Sequence, residues 1–184
     1  MSSAGRRAFT LVEIMVVLVL MAVMLTMAVP RYAGSIASAN LRQSARRLLV
    51  SAQYARNFAV THRTPTRLRL DGRSGQFMVE FASTEHEKSG QFEPVDGPCR
   101  RQTLGKGVRF SPPRIESSRP AQAKESDSVV EFEPSGQADA AVLEVTDGSV
   151  LYSVIVVPES GRAILVSGKV QQLPNDRQDL DAQS

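Results

Sequence analysis

FTLVEIMVVLVLMAVMLTMAV, Phe9 to Val29, is the stretch that decides the fold. Wound as a helix at 1.5 Å per residue it is about 31 Å long, which matches the roughly 30 Å hydrocarbon core of a bilayer. The run therefore predicts one membrane-spanning helix over 9–29, with the rest of the chain left to build a domain in water. A single acid, Glu13, sits one helical turn inside the run. A carboxylate near the bilayer centre costs about 3 kcal/mol on insertion scales, and less near a helix end, from which it snorkels to the interface. An interfacial acid on an ordinary signal anchor is one reading of Glu13. A cleaved secretory signal fits less well, because the apolar run exceeds the usual length and holds an acid, although Ala37, Ser38 and Ala39 are small. Charge leaves orientation open: Arg6 and Arg7 precede the run, while Arg31, Arg42, Arg46 and Arg47 follow it.

Pro30 need not end the helix, since neighbouring groups satisfy the carbonyl that a proline frees. Beyond it Ile36, Ala37, Leu41, Ala45, Leu48, Leu49, Ala52, Ala55, Phe58 and Ala59 recur at threes and fours. This is the apolar stripe of an amphipathic helix over 30–62, and the stripe needs a sheet to cover it. Arg42, Arg46, Arg56 and Arg63 fall largely off the stripe, where a solvated polar face is the plainer reading than an anion-binding or DNA-binding one.

After His62 the period changes to two. TPTRLRL and QFMVEFA alternate around the turn residues DGRSGQ, which predicts a β-hairpin. Residues 83–128 are rich in Pro, Gly, Ser and charge, with only GVRF, Gly107 to Phe110, resembling a strand; they read as a long excursion from the sheet. Strand patterns return in SVVEFEP, AAVLEVTD, VLYSVIVVP and RAILVSG, and the last two form a hairpin around Glu159, Ser160 and Gly161. The antiparallel sheet domain thus covers 63–173, and the polar, acidic tail 174–184 is expected to be disordered. The predicted class is α+β: a long N-terminal helix packed on antiparallel sheet.

Composition narrows function by exclusion. The 184 residues leave room for one modest soluble domain once the apolar run is set aside. A single cysteine, Cys99, allows neither an internal disulfide nor a four-cysteine metal site. Arg6 and Arg7 carry two of the three net positive charges, so the basicity does not by itself point to nucleic acid. There is no GxSxG, HExxH, Walker loop or strand-borne GxGxxG. His62 and His86 lack metal-ligand spacing, and Met15, Met21, Met24 and Met27 lie in the membrane helix as packing residues. Glu131 and Glu133 flank Phe132, where two acids on one exposed strand face are ordinarily solvated. Neither a catalytic residue nor a cofactor is expected.

The stretch GRRAFTLVE, Gly5 to Glu13, resembles the processing site of type IV prepilins and of the pseudopilins of type II secretion. The resemblance implies cleavage by prepilin peptidase between Ala8 and Phe9, removing a leader over 1–8, followed by N-methylation of Phe9. Ala8 stands where that family usually carries Gly. It also implies a partner for Glu13: the new α-amine lies four residues away, and in the family the amine of a neighbouring subunit is thought to meet this acid as subunits pack through their N-terminal helices. SAQYARNFAVTHRTPTRLRL, FEPSGQAD and VVPESGRAILV together resemble the GspH/FimT group of minor pseudopilins and minor pilins. The implied role is a non-enzymatic subunit of a periplasmic pseudopilus held in the inner membrane, with other pseudopilins or pilins and prepilin peptidase as partners. The alternatives are a FimT-like minor pilin, serving pilus biogenesis or DNA uptake, and a single-pass signal-anchored binding protein.

Overall fold

The computed structural model describes residues 10–83, 91–97, 99–116 and 128–173, with backbone alone over 25–36. One helix, α1, runs Leu11–His62 and is followed by β1 (Thr66–Asp71), β2 (Gln76–Ala82), β3 (Phe92–Pro94), β4 (Gln102–Thr103), β5 (Arg109–Phe110), β6 (Arg114–Glu116), β7 (Val129–Phe132), β8 (Ala140–Thr146), β9 (Leu151–Val156) and β10 (Ala163–Ser167). The chain divides into two compact units, Met1–Ile36 and Ala37–Ser184.

In the first unit, Thr10 starts the helix: its carbonyl accepts from the Glu13 and Ile14 amides, and its Oγ1 accepts from the Glu13 amide at 3.3 Å. Thr10 is thus the N-cap and Glu13 the third helical residue, the spacing of a capping box. All described side chains from Leu11 to Met24 are exposed. Among the described residues no helix is long and apolar enough to cross a membrane.

In the second unit the helix buries Leu41, Ser44, Ala45, Leu48, Ser51, Ala52, Ala55 and Ala59, one stripe at the expected spacing of threes and fours. Six of the eight are Ala or Ser, small enough to let strands lie close to the helix. The helix ends without a glycine: Arg63 takes φ 52°, and the Thr64 amide donates back to the Ala59 carbonyl. This is the six-to-one bond of a Schellman cap, with a non-glycine residue holding the left-handed position.

The strands form two five-stranded sheets rather than the single sheet expected from the pattern, one ordered β3-β2-β1-β7 with β4 also on β2, the other β10-β9-β8-β5 with β6 also on β8. The predicted hairpins are both present. Leu68 lies opposite Val79 on one side and Val130 on the other, and all three are fully buried. In the second sheet β9 is flanked by β8 and β10, with Val154 opposite Leu143 and Leu165. A single buried cluster joins the helix stripe to both sheets, and Phe77 meets Phe110 edge-on at 6.1 Å between them.

The stretch 83–128 does not simply leave the sheet. Its described residues supply β3 and β4, both paired with β2, and β5 and β6, both paired with β8. Each outer edge is one long strand path broken in the middle, by Ser111, Pro112 and Pro113 in the second sheet. Proline cannot donate to a ladder and is tolerated at an edge, so these pieces of two or three residues carry no period that a sequence reading detects. Residues 84–90, Pro98, 117–127 and the tail 174–184 lie outside the described residues, as does the leader 1–8.

Candidate assembly surface

Of the residues singled out for assembly, Glu13 is placed and Ala8 and Phe9 lie outside the described residues. Glu13 is exposed in the first turn of α1, where a negative side chain faces the positive end of the helix dipole. Thr10 lies within the motif read from the sequence, and its role as the helix cap is what the structure adds. The T-x-x-E spacing was the signal that would have found it.

Among the described residues no catalytic constellation assembles. His62 stacks on Phe58 with ring centroids 4.1 Å apart, and Phe58 continues to Phe81 at 5.4 Å, so this imidazole packs the helix end against β2. His86 lies outside the described residues. Among the described residues no group of three His, Cys, Asp or Glu side chains gathers to hold a metal. Cys99 is buried and unbridged. Met15, Met21 and Met24 are exposed along the first unit's helix, and the side chain of Met27 lies outside the description. Glu131 lies within β7, one residue before the strand ends at Phe132, and Glu133 lies just beyond that end.

The buried acids are occupied with structure. Glu80 accepts from Arg67 Nε at 2.6 Å and stands 3.3 Å from Arg69 Nε, while the Arg67 guanidinium covers the Phe92 ring at 3.9 Å. Glu144, in the middle of β8, pairs with Arg114 at 3.3 Å. Arg114 also donates to the carbonyls of Val170 and Gln171 and so ties the chain after β10 to β6. A cleft of about 250 Å³ lies beside Glu144, walled by Leu70, Phe110, Pro112, Pro113 and Leu143. It offers one carboxylate already engaged with Arg114, and acid-base chemistry needs a positioned second group that the lining does not supply.

Two exposed aspartates organise turns. Asp71 accepts from the amides of Arg73 and Ser74 and from the Ser74 hydroxyl, and these bonds, the hydroxyl's first, lower its pKa. Asp147 does the same in the β8–β9 turn, held down chiefly by the Val150 amide and then by the Ser149 amide and hydroxyl. The β9–β10 turn is pinned to the helix, because Arg56 Nε donates to the Ser160 carbonyl at 2.6 Å. Gly161 there has φ 59°, and a Cβ would stand 2.5 Å from the Gly136 carbonyl oxygen, so only glycine fits this contact between two turns.

The remaining face of the helix is open. Arg42, Gln43, Arg46, Arg47, Val50, Gln53, Asn57 and Val60 are exposed on the side opposite the buried stripe. What this geometry can do chemically is bind another surface.

Residues 3–29 match the prokaryotic N-terminal methylation motif, and residues 44–168 match the family described as type II transport protein GspH. Two solved structures of the minor pseudopilin EpsH from the type 2 secretion system of Vibrio cholerae share the fold. One is 16% identical with a TM-score of 0.52, covering 70% of this chain and 97% of that one. The other is 14% identical with a TM-score of 0.55, covering 72% and 98%. The type IV minor pilin FimU of Pseudomonas aeruginosa is 14% identical over 73% of this chain and 97% of its own, with a TM-score of 0.45. No curated protein matches the chain by sequence.

Proposed function

The chain belongs to the family of type II transport protein GspH, and from that membership we propose that it works as a minor pseudopilin, a structural subunit of the pseudopilus of a type II secretion system. The observation that carries this reading is the joining, in one chain, of an N-terminal methylation motif over 3–29 to a GspH domain over 44–168. The first supplies the means of entering a filament, and the second the domain that the filament displays. No catalytic step belongs to this role.

The processing chemistry follows from the residues at the motif. Prepilin peptidase cuts between Ala8 and Phe9, the leader 1–8 is lost, and Phe9 becomes the methylated N-terminus. Before assembly the apolar run 9–29 holds the subunit in the inner membrane, with the sheet domain in the periplasm. On assembly the N-terminal helix leaves lipid for a bundle of neighbouring pseudopilin helices, in which Glu13 meets a terminal amine. In a low-dielectric bundle an unpaired carboxylate is expensive and a paired one is not, so the pair fixes axial register.

Mass spectrometry of the full chain produced with and without prepilin peptidase tests the processing step. The expected product with the enzyme begins at N-methylated Phe9; a mature protein that keeps its first eight residues overturns the filament reading. Gene deletion tests the system: loss of exoprotein secretion is expected, whereas loss of pili, twitching or transformation with secretion intact assigns the chain to the minor-pilin alternative.

A further inference from the structure

An open sheet has two edges, and proteins blunt them with charge, proline or a covering segment. Three of the four edges here are treated in that way. In the first sheet the β3 edge carries Glu93 and Pro94. The β7 edge is occupied, since the Asp139 amide donates to the Glu131 carbonyl at 3.0 Å and Asp139 Oδ2 accepts from the Glu131 amide at 2.9 Å. In the second sheet the β5–β6 edge is broken at Ser111, Pro112 and Pro113. β10 is different: it reads AILVS, without charge or proline, and among the described residues it pairs with β9 alone. The bonds at the two ends of this ladder, Val157 amide to Arg162 carbonyl and Gly168 amide to Leu151 carbonyl, both at 2.9 Å, set which main-chain groups face β9. Counting inward by twos, Ile164 and Val166 face it, and the amides and carbonyls of Ala163, Leu165 and Ser167 point to the open side. Gln53 of α1 donates to the Ala163 carbonyl at 3.4 Å from that side, which leaves the Leu165 and Ser167 groups as the row that a further strand meets. The chain beyond β10 does not turn back along it, because the Val170 and Gln171 carbonyls accept from Arg114 of β6, across the sheet.

We propose that the open side of β10 takes an extended, acid-flanked strand from the sheet domain of a neighbouring filament subunit, which adds a strand to the second sheet. The inference rests on the reading of the chain as such a subunit. Main-chain groups give this contact its affinity, and the occupant is a strand because only a strand offers donors and acceptors at the same two-residue spacing. Charge sets its ends: Arg162 and Lys169 are exposed on either side of the uncharged run, so an incoming strand with an acid at each end fits it. A second copy of this chain fits poorly, because antiparallel pairing centred on Leu165 brings Arg162 of one copy beside Lys169 of the other. Position gives the source. Gln53 lies in one line with Arg46, Val50 and Asn57 on the open helix face, so a subunit that packs on that face also arrives at the edge of β10.

Hydrogen exchange read at single amides tests this on the full chain, alone in detergent and co-assembled with the other pseudopilins of its secretion system. In the isolated chain the Leu165 and Ser167 amides are expected to exchange faster than those of Ile164 and Val166, which the ladder holds. On co-assembly both are expected to slow about tenfold, the effect of one well-made hydrogen bond to the partner. Ser167→Pro removes an edge donor and no ladder bond, and is expected to lower the protection gained at Leu165 about fivefold while Ile164 and Val166 stay protected. Ser167→Ala is expected to change nothing. Should the proline variant not fold, Arg162→Glu with Lys169→Glu carries the test, with the gained protection expected to fall about twofold for each charge reversed. Protection already present in the isolated chain, from its own tail or from a second copy, overturns the proposal. So does protection gained on adding secreted protein without the subunits, or a gain indifferent to both variants. Filaments that contain the chain while its β10 amides exchange as before sink the edge contact alone; a chain that never enters filaments sinks the subunit reading with it.

Discussion

At the scale of a residue, Glu13 carries two roles that chemistry can separate. Its carboxylate stands at the third position of a helix capped by Thr10, where it favours the helix start, and it is the acid that the assembly reading pairs with a terminal amine. Glu13→Ala removes both and is expected to leave membrane retention intact while impairing incorporation into the filament. Glu13→Gln keeps the capping geometry without the charge. Measured by co-assembly with wild-type subunits, Gln is expected to fail like Ala; normal incorporation of Gln would show that capping, not charge, is what assembly requires. Glu13 and its neighbours were legible in the sequence because a charge in a long apolar run is conspicuous. The capping role of Thr10 was not, since a cap is seen only when the helix start is fixed.

At the scale of an element, the ends are where this chain departs from the simplest chemistry. Arg63 occupies the left-handed position of a Schellman cap that glycine usually fills, at a cost of about 1–2 kcal/mol for an L-residue. Arg63→Gly is expected to raise stability by about 0.5–1 kcal/mol in urea unfolding, the gain being limited by glycine's larger unfolded-state entropy. The turns give a pH dependence. Asp71 and Asp147 have pKa values below 3.8 in the folded chain, so each stabilises the fold above its unfolded pKa and loses that contribution as pH falls through the folded value. Asp71→Asn with Asp147→Asn keeps an acceptor oxygen but cannot titrate. Thermal melts between about pH 5 and pH 2 are expected to show a smaller fall in Tm for the double variant than for the parent. An equal fall would place the acid sensitivity elsewhere. Both turns announced themselves in sequence as DGRSG and DGS, and β5 lies in the strand-like GVRF, whereas β3, β4 and β6 did not, being too short for any period.

At the scale of the whole molecule, the second unit has one core, in which Leu48 of the helix is fully buried among side chains from both sheets. Leu48→Ala is expected to cost about 2–5 kcal/mol and to lower one cooperative transition. Separate unfolding of helix and sheet signals, followed by far-UV and near-UV circular dichroism, would contradict a shared core. Sequence by itself determined the apolar run, the helix stripe, the two hairpins, the α+β class and the motif at Phe9, because each is a local pattern repeated at the period of its own element. Tertiary structure alone decided that the strands divide into two sheets, that the stretch after β2 returns to edge them, and that the segment between β4 and β5 is fastened to Asn40 and Ser44 of the helix. Those are pairings between residues far apart in the chain, set by which surfaces close over the core and by where a glycine lets two backbones touch, and no local period encodes them.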